Sequence, residues 1–238
     1  MQVDKFDFQN GRRISSRYKV VSLLGKGWEG EVYLVEEIAT GIERTAKFFY
    51  PHRNKNNKVA EGFARKLYRS KDNPSVVQYL NQESIMHKSQ RVTCLISEYV
   101  EGEILSEMIE SYPSKRLPEF EALHLLAAIT NGLAIIHEQG EYHGDLHTGN
   151  ILVQRKGIHF EIKLIDPFDW KDGTINNIKK DVCDLIRVFY DCLGGRKYYA
   201  AYPSEIKAIC CGLKNSLIVK KFKDATILKR YLETFTWA

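Results

Sequence analysis

No apolar run among the 238 residues approaches the roughly 20 that a bilayer-spanning helix needs, so no membrane span is expected. The opening residues Met1-Gln2-Val3-Asp4-Lys5-Phe6 lack a basic stretch followed by an apolar one. No secretory signal is read there, and a cytoplasmic location is the expectation. Cys-x-x-Cys is missing as well. The five cysteines, at 94, 183, 192, 210 and 211, are odd in number and share no metal-ligand spacing with the seven histidines. That favours reduced thiols and argues against a structural metal held by cysteine and histidine. Internal repeats and low-complexity linkers are also lacking, which excludes a solenoid or a string of small modules. What remains is a chain of ordinary composition, 44% hydrophobic and 27% charged, long enough for one large domain or two lobes around a shared cleft.

Carboxylates are scarce in one stretch. Net charge is +5, yet from Lys47 to Lys71 eight Lys or Arg residues stand against Glu61 alone. Such a segment would suit an acidic partner, an anionic surface or nucleic acid, while a solvated helix face is the simpler reading. No base-stacking motif accompanies this segment, which argues against nucleic acid.

The hydrophobic pattern divides the chain in two. Residues 18–25 and 30–35 read as strands, a turn near Thr40-Gly41 leads to a third at 44–49, and 76–80 and 92–96 supply two more. Val59, Phe63 and Leu67, spaced by four, mark a helix over 58–68. From Leu105 the pattern turns helical, with Pro118 opening a long helix to about Gln139 on Leu123, Leu126, Ile129, Leu133 and Ile136. Short strands at 151–154 and 161–165 flank a turn at Lys156-Gly157, and helices follow near 178–193, 204–213 and 224–236. The fold class is α+β: an antiparallel five-stranded sheet with one helix, a linker near 98–102, and a mainly helical remainder.

Chemistry concentrates in His143-Gly144-Asp145-Leu146-His147-Thr148-Gly149-Asn150, with Asp166 sixteen residues further on at the end of an apolar strand. A carboxylate able to accept a hydroxyl proton, an amide five residues later and a second carboxylate are tools for orienting a nucleophile and holding Mg²⁺ on a nucleotide triphosphate. Turn-capping by Asp145 and a left-handed loop position for Asn150 are the structural alternatives. Upstream, Gly25-Lys26-Gly27-Trp28-Glu29-Gly30-Glu31-Val32 fits G-x-G-x-x-G-x-V. A dinucleotide fingerprint would start a helix at the last glycine, whereas this sequence continues as a strand, which favours a lid over phosphates; a glycine-rich hairpin without ligand is the rival. Lys47, near the end of the third strand, is spaced to reach phosphates, and Glu61 is the only carboxylate between 48 and 71 available to orient it.

Taken in order, Gly25, Gly27, Gly30, Ala46, Lys47, Glu61, Asp145, Asn150 and Asp166 resemble the protein kinase superfamily across residues 18 to 236. The resemblance implies a bilobal fold: an extension at 1–17, an N-lobe at 18–97, a hinge at 98–102 and a C-lobe at 103–238. It implies ATP and Mg²⁺, with Asp145 as catalytic base, Asn150 and Asp166 as metal ligands, and Lys47 and Lys26 with the loop glycines around the phosphates; Trp28 at the loop tip could cover the phosphates, touch substrate or pack on the helix. Glu98, Val100 and the gatekeeper Ser97 would line the adenine site, which Val32, Ala46 and Leu152 would sandwich. Asp181 would brace the catalytic loop.

Departures narrow the reading. Gly144 replaces the arginine that clamps a phosphorylated activation loop, implying activity without that phosphorylation. His147 and the whole His-Gly-Asp-Leu-His-x-Gly-Asn loop look like those of aminoglycoside and choline kinases and of atypical bacterial kinases. Fourteen residues between Asp166 and Asp181, with no Ala-Pro-Glu, leave little room for a peptide-docking platform. A bacterial-type Ser/Thr protein kinase is the favoured expectation, with a protein substrate. A small-molecule kinase and a nucleotide-binding scaffold are the alternatives.

Overall fold

The computed structural model describes residues 2–157, 159–168 and 174–236. The chain forms two compact units, Met1–Lys71 with Val77–Val100, and Asp72–Val76 with Glu101–Ala238.

The first unit is built on one antiparallel sheet. Its strands are β1 (Arg13–Ile14), β2 (Tyr18–Lys26), β3 (Gly30–Glu37), β4 (Glu43–Phe49), β5 (Tyr79–His87) and β6 (Gln90–Glu98). They lie in the order β1-β2-β3-β4-β6-β5, so the expected five-stranded sheet gains the two-residue β1 at its edge. The strand read at 76–80 is displaced: pairing runs from Tyr79 to His87, and Val76 forms a parallel bridge to Leu164. Asn81-Gln82-Glu83-Ser84 is too polar for the hydrophobic pattern to reveal this strand, which is held by its partner β6.

Alternation along β4 assigns its two faces. Ala46 and Phe48 point into a core with Tyr33, Val35, Cys94 and Ile96. Val3, Phe6, Phe8 and Ile14, within the expected extension, cover this core. Phe6 and Phe8, two apart, both face inward: Phe6 stacks on Phe8 at 5.1 Å and on Tyr50 at 5.2 Å, and Phe8 sits edge-on to Phe48 at 4.9 Å. Burying each ring stabilises by roughly 1.5–3 kcal/mol. The buried Glu31 carboxylate ties this cover down by accepting the hydroxyls of Tyr33 and Tyr50 and the N–H of Phe6. A buried charge requires such donors. Burial, followed by the Glu31 charge and hydrogen bond, pushes the Tyr50 phenol up to about 12.

On the opposite face lies α1 (Lys58–Arg69), whose Ala60, Phe63 and Leu67 are buried. Its first turn is capped by Asn54, whose carboxamide oxygen accepts the N–H groups of Val59 and Ala60, each at 3.1 Å.

The second unit contains β7 (Glu103–Ile104), α2 (Leu105–Ser111), α3 (Glu119–Glu138), β8 (Ile151–Lys156), β9 (His159–Leu164), α4 (Thr174–Cys192), α5 (Arg196–Tyr199), α6 (Ser204–Cys210), α7 (Asn215–Lys221) and α8 (Ala225–Glu233). Cys210 ends α6, and Cys211 begins a separate turn with φ of +49°. Among the described residues α3 is the one helix long and apolar enough to cross a membrane by length and composition. It is also the core helix here: Leu125, Ile129, Leu133 and Ile136 are buried, and α4, α8 and β9 pack on it.

Residues 72–76 are laced to α3 and β9. Asn73 donates to the Gly132 carbonyl at 2.8 Å, and Leu164 N–H donates to the Ser75 carbonyl at 2.7 Å. A Cβ at Gly132 would lie 2.5 Å from the Ser75 Cβ, so only glycine allows this approach. β8 and β9 alternate buried and open positions, placing Ile151, Val153, Ile162 and Leu164 inward.

Candidate active site

The candidate residues fall into two sets, one in each unit. In the first unit, Val32 pairs with Lys47 and Thr45 pairs with Ser97, so these four side chains share a sheet face. Ala46 does not share it. As Lys47's immediate neighbour, it is turned by the two-residue strand period into the opposite core, where it pairs with Tyr33. The face-sharing small residue before the lysine is Thr45, identifiable from the period alone.

Gly25 and Lys26 end β2, and Gly30 opens β3. Gly27 N–H donates to the Gly30 carbonyl at 2.8 Å, closing the hairpin. The glycines differ in what demands them. A Cβ at Gly30 would fall 1.8 Å from the Phe48 carbonyl oxygen, whereas Gly25 and Gly27 have nothing within 4 Å of that position. Lys26 reaches back toward Glu31 at 3.8 Å and Asp7 at 4.0 Å. Trp28 is 68% exposed and carries the Arg53 guanidinium over its ring at 4.0 Å. Ser97 and Glu98 end β6. Glu98 N–H donates to the Gln78 carbonyl, and its carboxylate accepts Gln78 N–H, each at 3.0 Å; Val100 follows outside the strand.

The expected Lys47–Glu61 pairing is not what the structure contains. Lys47 Nζ lies 2.9 Å from Glu29 Oε2, and Glu61 pairs with Arg65 at 3.6 Å. Glu61 is one position off the buried stripe of α1, so its carboxylate points outward and half exposed, while Phe63 on that stripe lies under Lys47. Glu29 precedes Lys47 within the glycine loop, where the spacing of an orienting carboxylate on the following helix gives no signal.

In the second unit the loop 143–150 is held from beneath. Asp181 on α4 is fully buried and accepts the N–H groups of His143 at 2.6 Å and Gly144 at 2.8 Å. Gly144 has φ of +89°, a region that favours glycine. His137 on α3 accepts the Ala225 N–H at Nδ1, which leaves Nε2–H to donate to Asp181 at 3.2 Å. Burial alone would raise the Asp181 carboxyl. The hydrogen bond from His137, the nearby imidazoles and the Gly144 N–H outweigh it and hold this group below the usual carboxylate range.

Above this support, the Asp145 side chain is half exposed, and Asn150 Nδ2 donates to its backbone carbonyl at 2.9 Å and to Oδ2 at 3.2 Å. With both amide hydrogens directed at Asp145, the Asn150 oxygen faces away from it. His147 accepts Gly149 N–H at Nδ1 and brings Nε2 to 3.8 Å from Asp145 Oδ2.

Asp166 has φ of +54° and is joined to the loop on both sides. Ile165 N–H donates to the Asn150 carbonyl at 3.1 Å, His143 Nε2 donates to the Ile165 carbonyl at 3.0 Å, and Phe168 N–H donates to the His143 carbonyl at 2.9 Å. A non-glycine residue in this conformation persists where the surroundings over-determine it. An amide oxygen and a carboxylate on one stitched scaffold fit a hard, oxygen-seeking divalent cation. Leu152 lies two residues beyond Asn150, partly exposed on β8. Of the run after Asp166, residues 169–173 lie outside the described ones.

These features define a kinase-type scaffold, and comparison with known proteins agrees. The protein kinase domain profile matches residues 18–200, and the chain belongs to that family. It is 31% identical over 155 residues to the serine/threonine-protein kinase pkn2 of Myxococcus xanthus, covering 64% of this chain and 18% of that protein. It is 30% identical over 159 residues to the serine/threonine-protein kinase PrkC of Bacillus subtilis, covering 66% of this chain and 23% of that protein. The match thus spans about a fifth of the length of these curated relatives. Among solved structures, a double-mutant form of the Mycobacterium tuberculosis PknI kinase domain aligns with 97% of this chain and 98% of its own at a TM-score of 0.70. At 16% identity that is a likeness of fold.

Proposed function

We propose that the chain is an ATP- and Mg²⁺-dependent phosphotransferase that transfers the γ-phosphate to a serine or threonine hydroxyl of a protein. The observation that carries this reading is Asp145: an open carboxylate, aimed by Asn150, on a loop anchored by a buried charge. Such a group orients a hydroxyl and takes its proton as the phosphoryl group transfers. Asn150 and Asp166 would hold Mg²⁺, which supplies charge neutralisation on the triphosphate. Lys47 and the glycine-loop amides bind the phosphates, and the open space at Gly25 and Gly27, which no protein contact requires, suits close approach by a ligand. Glu98 and Val100 offer backbone groups to adenine, with Ser97, Val32 and Leu152 around it. Residues 18–97 and 103–238, joined through 98–102 and preceded by 1–17, act as one catalytic domain in the cytoplasm. Gly144 in place of the arginine makes activity independent of activation-loop phosphorylation. The basic stretch 47–71 would receive an acidic partner.

His147 beside Asp145 favours a second reading, transfer to a small alcohol, because it sets this loop apart from the usual protein-kinase pattern. Mass spectrometry of the products formed from ATP, Mg²⁺ and either a generic protein or a panel of aminoglycosides and amino alcohols separates the two. Phosphoprotein is expected from the wild type, before and after phosphatase treatment, and not from Asp145→Asn. A phosphorylated small molecule alone would select the second reading, and nucleotide binding without any transfer would point to a scaffold.

A further inference from the structure

We infer that Glu29 and Phe63 together are the positioning residues of Lys47, in place of a carboxylate from helix α1. The inference deepens the kinase reading and rests on it for its kinetic consequence.

The Lys47 and Glu29 side chains are 12% and 16% exposed, and their 2.9 Å contact is shielded from water. An ion pair so placed is screened far less than an open one. Glu61 and Arg65, at 3.6 Å with exposures of 49% and 64%, form the open kind, which contributes little. Glu29 is also more than a loop tip. Its carbonyl accepts Tyr50 N–H at 2.9 Å, and the next residue, Gly30, packs so closely on the Phe48 carbonyl that no side chain fits. The backbone immediately after the carboxylate is therefore tied to Phe48 and Tyr50, one and three residues from the lysine it holds.

From the other side, Phe63 presents its ring face to Lys47 Nζ at 4.1 Å, and Phe63 itself is fixed edge-on to Phe49 at 6.0 Å. A cation over a buried ring gains electrostatic attraction without needing a carboxylate. Helix α1 thus contributes an aromatic face, and the glycine loop contributes the charge. Lysine alignment consequently depends on the loop that carries Glu29 and not on a salt bridge to α1.

Two measurements on the full chain test this. In the first, without nucleotide, the rate at which a small acylating reagent modifies Lys47 is followed by mass spectrometry. Glu29→Gln should raise it about threefold or more and Phe63→Leu about twofold, with Glu61→Gln leaving it unchanged. In the second, steady-state phosphotransfer from MgATP to a generic protein is measured. Glu29→Gln should lower kcat roughly tenfold with KM for ATP moving less than about threefold, the pattern of lost transition-state alignment, while Glu61→Gln stays near wild type. A labelling or kcat change in Glu61→Gln that equals or exceeds that in Glu29→Gln overturns the inference, as does a Glu29→Gln variant as active as wild type or more so. A wild type that transfers no phosphate, with the labelling difference present, overturns the kinase reading and with it the positioning role, and leaves the contact intact.

Discussion

The loop at 143–150 and the loop at 25–30 are both candidate site elements, yet they are held in opposite ways. The first rests on a buried carboxylate, Asp181, which receives two backbone N–H groups and a histidine, and its own side chains bond to one another. The second is fixed at its base by backbone packing of Gly30 on Phe48, with Trp28 at its tip largely in water. A group that must orient a reacting atom needs a geometry fixed by several satisfied hydrogen bonds. A cover that must approach a ligand needs open space above its backbone, which glycine supplies without a side chain in the way.

Three substitutions probe that contrast. On the proposed function, Asp166→Ala should lower Mg²⁺-dependent turnover by a factor on the order of a thousand, since it would remove a ligand of the Mg²⁺ that neutralises the triphosphate. Labelled ATP in a turnover assay checks it, and near-normal turnover would remove the second unit's claim to the chemistry.

Asp181→Asn should destabilise by about 3 kcal/mol or more, because the buried donors lose their anion. The wild-type acid response follows from the sign of its shift. The folded carboxyl titrates below the ordinary value, so its contribution is complete above about pH 4 and disappears as pH falls through the lowered value. Denaturant titrations from pH 7 to 2 should show that acid-dependent loss in the wild type and a smaller one in Asp181→Asn; equal slopes would rule out the supporting role.

The smallest effect falls on the cover of the first unit. Phe6→Ala should cost about 3 kcal/mol by opening a cavity against Phe8, Phe48 and Tyr50. Hydrogen exchange should quicken in β3 and β4 and leave 143–150 protected. A uniform increase in both units would erase the distinction between them.

Much of the second unit's candidate site could be read from spacing. Asp145, Asn150 and Asp166 sit close along the chain on short connections, and their types carry their chemistry wherever the loop is placed. Asp181 was legible only through the family resemblance of Asp181-Val182-Cys183-Asp184-Leu185, since Asp184 and Asp191 share its helix. The first unit was harder. Phe6 and Phe8 lie far in sequence from Tyr33, Phe48 and Tyr50, so a segment with no strong periodicity gave no sign that it covers a core. The strand at 79–87 was hidden because its hydrogen bonds come from β6 and not from its own propensity. Ala46 was placed on the wrong face although the two-residue period was available to correct it.

Residue types and their order along the chain were sufficient to identify the family and to mark a candidate set, since phosphoryl transfer demands a carboxylate, an amide and a second carboxylate at short separations. The order could not choose the partner of Lys47. Glu29 and Glu61 have the same side chain at comparable distances along the chain. Strand pairing, the close packing at Gly30 and the rotation of α1 turn one carboxylate toward the ammonium and the other toward water.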